Sequence, residues 1–364
     1  MERTTNFNAG PAALPLDVLQ KAQKEFVNFN DTGMSVMELS HRSKEYDAVH
    51  QKAKSLLKEL MDIPDDYDIL FLQGGASLQF SMLPMNFLTP EQTAHFIVTG
   101  AWSEKALAEA KLFGNTSVTA TSADSNHNHI PEADLTGIKD GAYLHLTSNN
   151  TIFGTQWKEF PNSPIPLVAD MSSDILSRKI DVKTFDVIYG GAQKNLGPSG
   201  VTVVIMKKSW LENENANVPK ILKYSTHTKA DSLYNTPPTF AIYMLSLVLE
   251  WLAENGGVEA AERRNQEKAD VLYGTIDASG GFYAGHAAKD SRSHMNVTFT
   301  LRDSSLTKKF VEEAKAAKMT GLGGHRSVGG CRASIYNAVS LADCEKLAQF
   351  MKKFQQETNK FLLT

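Results

Sequence analysis

The sequence predicts an α/β protein: a large domain with a mostly parallel sheet sandwiched by helices, followed by a smaller α+β C-terminal domain. Three observations predict it. From about residue 16 onward, short apolar runs alternate with longer amphipathic ones, the pattern of strands feeding helices in a parallel sheet. After Gly280-Gly281 the texture changes to a strand over 295–301, a helix over 305–318, a strand over 331–336 and a last helix from Leu341. Finally, 364 residues are too many for one ordinary core and fit a large domain plus a smaller one or two comparable domains. The expected boundary is residue 256, giving domains 16–256 and 257–364, with segment 1–15 packing on the smaller part.

The strands are expected at Ile69–Leu72, His95–Val98, Tyr143–Leu146, Leu167–Ala169 and Val187–Tyr189, each a short apolar run. Between them, Ser103 is placed as the cap of a helix that runs through Leu112 and ends at Gly114. Pro237-Pro238 opens another helix that ends at Gly256-Gly257. The segment 258–278 is long and polar-faced, and the Met34–Met37 run reads as packing.

Composition narrows the function classes. With 42% hydrophobic and 21% charged residues and a net charge of -4, the chain is globular, and it has no basic tail or stripe for a nucleic acid. Cys331 and Cys344 lack metal-ligand or disulfide-scaffold spacing and read as reduced structural thiols. No segment approaches the roughly 18–20 uninterrupted apolar residues of a membrane span, and no secretory leader is visible, so a cytoplasmic protein is expected. No metal is expected either: His127 and His129 lie in a polar stretch that reads as surface loop.

In open parallel sheets ligands collect beyond the carboxyl ends of the strands, so the residues just after each run carry the argument. Gln73-Gly74-Gly75-Ala76-Ser77 is a glycine turn entering a helix, where free N–H groups and the helix dipole can hold a phosphate. Trp102 follows the second run and can stack on a flat heteroaromatic ring; Ser148–Thr151 follows the third as a polar cluster. The fourth run ends in Asp170, and the fifth leads to Gly190-Gly191-Ala192-Gln193-Lys194. A lysine that can bond to an aldehyde and a carboxylate that can keep a pyridine nitrogen protonated are what pyridoxal phosphate requires.

These residues resemble those of the phosphoserine aminotransferase family, class V members of the fold-type I pyridoxal-phosphate enzymes, over essentially the whole chain. The resemblance rests on Asn6–Ala12, Ser40–Ser43, the strand ending in Asp170, Gly191–Asn195, Asn235–Thr239 and Gly324–Ser334. It implies one cofactor per subunit in Schiff-base linkage to Lys194, with Asp170 on the ring nitrogen, Trp102 stacked on the ring and Thr151 at its polar edge. It also implies a phosphate held by Ala76, Ser77 and Gln193, and by Asn235 and Thr236 from the second subunit of a homodimer. Arg332 would take the substrate α-carboxylate, while His41, Arg42, His325 and Arg326 would form the distal-anion pocket. Ser77 stands where many members carry Arg, which shifts phosphate binding toward backbone N–H groups and hydroxyls.

The implied reaction is ping-pong transamination between L-glutamate and 3-phosphohydroxypyruvate, giving 3-phospho-L-serine and 2-oxoglutarate in serine biosynthesis. A side activity toward 4-phosphohydroxy-L-threonine in pyridoxine biosynthesis is a further expectation. A cysteine desulfurase would need a nucleophilic cysteine on a mobile loop, and an alanine-glyoxylate type enzyme would not use the two His-Arg pairs. A silent binding protein would have no need of Lys194.

Overall fold

The structure, a computed structural model, describes residues 3–361. Its centre is a seven-stranded sheet in the order Tyr67–Leu72, Thr202–Lys207, Val187–Gly191, Leu167–Asp170, Tyr143–Thr147, Thr93–Val98, Asn115–Thr121. All neighbours pair in parallel except Thr202–Lys207, which runs antiparallel to both of its neighbours. The inner strands are covered on both faces, which is why they read as continuous apolar runs. Strand periodicity still divides them. Ile69, Phe71, Leu144, Leu146, Ile188 and Val203 enter one core, whereas Leu70, Leu72, Tyr143, Val187, Tyr189 and Val204 enter the core on the other face.

The first of these cores is closed by the apolar helix Thr239–Glu254, which also packs against Lys44–Leu60. A separate core surrounds the three-stranded antiparallel sheet Tyr283–Gly285, Asn296–Leu301, Cys331–Ser334 and the last helix, Leu341–Phe361. Phe7 is fully buried in it, and Thr5–Asn6 pairs with Met319–Thr320. Helix Gly257–Asp277 serves both regions: Val258 and Ala261 belong to the sheet core, Ala269 to Ile276 to the smaller one.

The structure corrects several local expectations. The helix placed after Ser103 runs from Ala101 to Ala110, capped by Gly100. Ser103 is its third residue; its Oγ accepts from the N–H groups of Thr99 at 3.0 Å and Gly100 at 3.1 Å, tying strand end to helix start. The strand from Cys331 ends at Ser334, because the chain then turns away from the sheet. In the 34–37 run only Ser35 and Val36 pack inside; Met34 and Met37 are 43% and 48% exposed. His127 is buried, with Ser122 and Glu104 as its hydrogen-bond partners, so it is not surface loop.

Candidate active site

A cavity of about 330 Å³ opens beyond the carboxyl ends of the parallel strands. Of the residues singled out in the sequence, it gathers Ala76, Ser77, Trp102, Thr151, Asp170, Gln193, Lys194, His325 and Arg332. Each wall has a local cause. Gly74, at φ +86, caps the helix Gly75–Phe87, a left-handed conformation that favours glycine. The first-turn N–H groups of Gly75, Ala76 and Ser77 therefore lack intrahelical acceptors at the cavity wall and suit an anion.

Lys194 comes from the loop that follows the strand Val187–Gly191, and Asp170 ends the adjacent parallel strand, so sheet register places them side by side. Lys194 Nζ has no hydrogen-bond acceptor among the described residues; it lies 5.4 Å from the centre of the Trp102 ring. Burial lowers its pKa, Arg332 adds to that, and Asp170 and Asp174 oppose it. Asp170 is buried, which raises its pKa, while Lys194 and the Ser172 bonds pull it down. Ser172 donates to Asp170 Oδ1 through its backbone N–H at 2.9 Å and its hydroxyl at 2.6 Å. That arrangement leaves the carboxylate fixed in direction. Gly10 packs on the lysine stem, where a Cβ would sit 3.2 Å from Lys194 Cγ.

The remaining walls are polar and cationic. Trp102 donates its indole N–H to Thr151 Oγ1 at 3.1 Å, and Arg332 Nη1 donates to the Thr151 carbonyl at 3.0 Å. Arg332 Nε is buried without a partner, an unused donor beside the space a ligand would fill. Lys105 Nζ lies 4.4 Å from the centre of the Trp102 ring. Burial lowers the His325 pKa, and the charges of Arg332, Arg326 and Lys105 lower it further. The site therefore offers an unpaired amine, an oriented carboxylate, an aromatic face and an anion-ready helix start. Those residues fit a flat, phosphorylated heteroaromatic aldehyde, and the guanidinium fits a carboxylate.

His41, Arg42, Asn235, Thr236 and Arg326 are not among the residues lining this cavity. Arg42 Nε donates to His41 Nε2 at 3.4 Å on an exposed stretch, and Asn235 lines a different hollow with Gln73, whose Nε2 donates to the Thr236 carbonyl. The sequence reading also missed Ala9, Gly10, Phe80 and Ser172 as cavity residues. Gly10 lay inside the N-terminal motif, and Ser172 could have been sought two residues beyond Asp170, where short hydroxyl side chains turn back on a carboxylate.

The chain matches the family model described as aminotransferase class-V over residues 4–347. It is 86% identical to a Bacillus subtilis protein named phosphoserine aminotransferase, over 98% of this chain and 99% of that one. A Geobacillus kaustophilus protein of the same name is 66% identical, with the same coverage of both chains. Among solved structures, a phosphoserine aminotransferase studied for radiation damage of its Schiff base superposes with a TM-score of 0.95 at 57% identity, covering 98% of this chain and 100% of that one. A PLP-bound phosphoserine aminotransferase from Trichomonas vaginalis gives 0.91 at 38% identity, covering 96% and 100%.

Proposed function

Because the chain belongs to the class-V aminotransferases and is a pyridoxal-phosphate-dependent transaminase, we propose that it exchanges an amino group between L-glutamate and 3-phosphohydroxypyruvate. The products are 2-oxoglutarate and 3-phospho-L-serine, in a ping-pong sequence serving serine biosynthesis. The observation that carries this reading is the cavity itself: one unpaired lysine, one oriented carboxylate and a buried guanidinium, Arg332, whose Nε has no protein acceptor.

Lys194 is the residue that would bond to the cofactor aldehyde, Asp170 would face the ring nitrogen, Trp102 the ring and Thr151 its polar edge. Ala76, Ser77 and Gln193 would hold the phosphate. Pyridoxal phosphate, when bound, supplies an electron-accepting ring that stabilises negative charge at the substrate Cα. The protein supplies the proton transfer. Burial lowers the pKa of Lys194, which favours the neutral amine needed to take the Cα proton. Ser172 keeps Asp170 aimed, so the carboxylate does not reorganise as charge develops. Arg332 orients the α-carboxylate common to both substrates, and His325 the distal anion.

We also propose a cytoplasmic homodimer in which Asn235 and Thr236 reach the site from the second subunit, with His41, Arg42 and Arg326 joining His325 in the distal-anion pocket. Two facts support this: those residues stand outside the cavity, and Phe26, Val27, Met34 and Met37 remain exposed apolar surface near His41 in the chain. No helix of the described residues is long and apolar enough to cross a membrane. The proposed domains, 16–256 and 257–364 with 1–15 on the latter, are supported by the place of Phe7 in the smaller core.

Initial rates test the reaction. With L-glutamate varied at several fixed concentrations of 3-phosphohydroxypyruvate, double-reciprocal plots should be parallel. A preference for alanine with glyoxylate would overturn the substrate assignment. The same assay run with 4-phosphohydroxy-L-threonine as amino donor tests the side activity.

A further inference from the structure

Lys268 is 1% exposed, on the helix Gly257–Asp277 that serves both cores. A buried ammonium is costly unless its donors are satisfied. Here all three are: Nζ donates to the carbonyls of Ile335 and Tyr336 at 2.8 Å and of Val339 at 3.0 Å. The three acceptors belong to one turn, so a single charge converging on them fixes its shape. That turn begins directly after the strand Cys331–Ser334, which carries Arg332.

The same turn is bonded to one residue that lines the cavity and to two stretches that adjoin lining residues. The Tyr336 hydroxyl donates to the Ala9 carbonyl at 2.7 Å. The Asn337 backbone N–H donates to Oδ1 of Asn195, the neighbour of Lys194, at 2.9 Å. The Asn337 and Asn195 side-chain amides donate to the carbonyls of Leu176 at 2.9 Å and Ile175 at 2.7 Å, on the stretch that follows Asp170. Asn265, one helical turn before Lys268, donates to Asn337 Oδ1 at 2.8 Å and to the Ser177 carbonyl at 2.9 Å.

We infer that Lys268, Asn337 and Asn195 form a positioning device that holds Arg332 in register with Lys194, across the junction between the two cores. The inference rests on the roles proposed above for Lys194 and Arg332. None of the three device residues needs to touch substrate; they act by setting the separation of two residues that do. Lys268 reaches the site only through the 335–339 turn, and Asn195 only through Asn337 and its own place beside Lys194.

The test compares Asn337→Ala and Lys268→Met holoenzymes with wild type, in activity per mole of bound cofactor and in melting temperature. Both variants should bind the cofactor, yet kcat/KM should fall by about 10- to 100-fold, as misplacement of reacting groups at a distance predicts. KM should rise for L-glutamate and for 3-phosphohydroxypyruvate together, since both carry the carboxylate assigned to Arg332. A lower melting temperature with kcat and both KM values within about twofold of wild type would overturn the inference and leave the network a stability feature. Should Lys268→Met not fold, the part-buried Asn337→Ala decides alone. Arg332→Lys, measured alongside, separates the two claims: if it leaves both KM values unchanged, the carboxylate role has failed rather than the positioning device.

Discussion

Lys194 and Lys268 are both drawn inside the protein, and burial lowers the pKa of each. Their surroundings are opposite. Lys268 has three carbonyl acceptors at hydrogen-bond distance, whereas Lys194 has none and looks across a cavity at an aromatic ring. A lysine whose donors are all taken is held in one geometry and fixes whatever it holds. One whose donors are all free is available to bond covalently or to move a proton. Unmet hydrogen-bonding capacity, more than burial or pKa, separates the reagent from the clamp.

The largest difference between them should appear on truncation. Lys194→Ala should cut transamination by on the order of 10³-fold or more, because it removes the residue proposed as both covalent anchor and base. Its melting temperature should stay close to that of wild-type protein freed of cofactor, since no protein acceptor loses a donor. A variant that lost its fold instead would give Lys194 the role here assigned to Lys268.

Next in size, Asp170→Asn keeps the shape and loses the charge that would pair with the ring nitrogen. A fall in kcat of about 10²-fold is expected from removing one preorganised electrostatic partner. Unchanged kcat with a weaker cofactor would make Asp170 an anchor only.

The clamp also makes a pH prediction. Burial pushes the Lys268 ammonium down to about 8 from an ordinary value of 10.5. Between those two values the unfolded chain holds more protons than the folded one, so this group's contribution to stability rises with pH across that window. Below it both states are protonated and the contribution is flat. The stability difference between wild type and Lys268→Met, followed by denaturant unfolding, should therefore climb from pH 8 to pH 10.5, and a flat difference would contradict a buried charge.

The smallest effect belongs to Trp102→Phe. It keeps an aromatic face but removes the indole N–H bonded to Thr151. One neutral hydrogen bond is worth about 1 kcal/mol, so cofactor affinity should fall only about fivefold. A loss approaching that of Asp170→Asn would mean that the ring's orientation depends on that bond.

The comparison also explains what the sequence made legible. Lys194 and Asp170 follow apolar runs buried on both faces, so strand ends, and with them the site, could be located from the runs alone. The edge strand Asn115–Thr121 is rich in Thr and half exposed, and it gives no such signal. Thr202–Lys207 obeys the same apolar rule as the five strands named but runs antiparallel to both of its neighbours, so its carboxyl end leads away from the site and a reading led by chemistry passes over it. Lys268 sits in a helix whose sequence is polar-faced, where a buried lysine looks like a solvated one; only its three carbonyls from another element distinguish it. His127 misleads for the same reason. Its burial comes from Phe153 and Glu104, both distant in sequence. Met34 and Met37 are apolar but exposed, and nothing in their sequence distinguishes them from the buried Val36 between them.

Borohydride reduction of the holoenzyme, followed by proteolysis and peptide mass analysis, puts the central claim to its most direct test. Reduction fixes the cofactor to whichever lysine holds it. The account predicts the added mass on the peptide carrying Lys194, and its absence when L-glutamate has first displaced the linkage. Added mass on another lysine, or none on a protein that contains the cofactor, would contradict it.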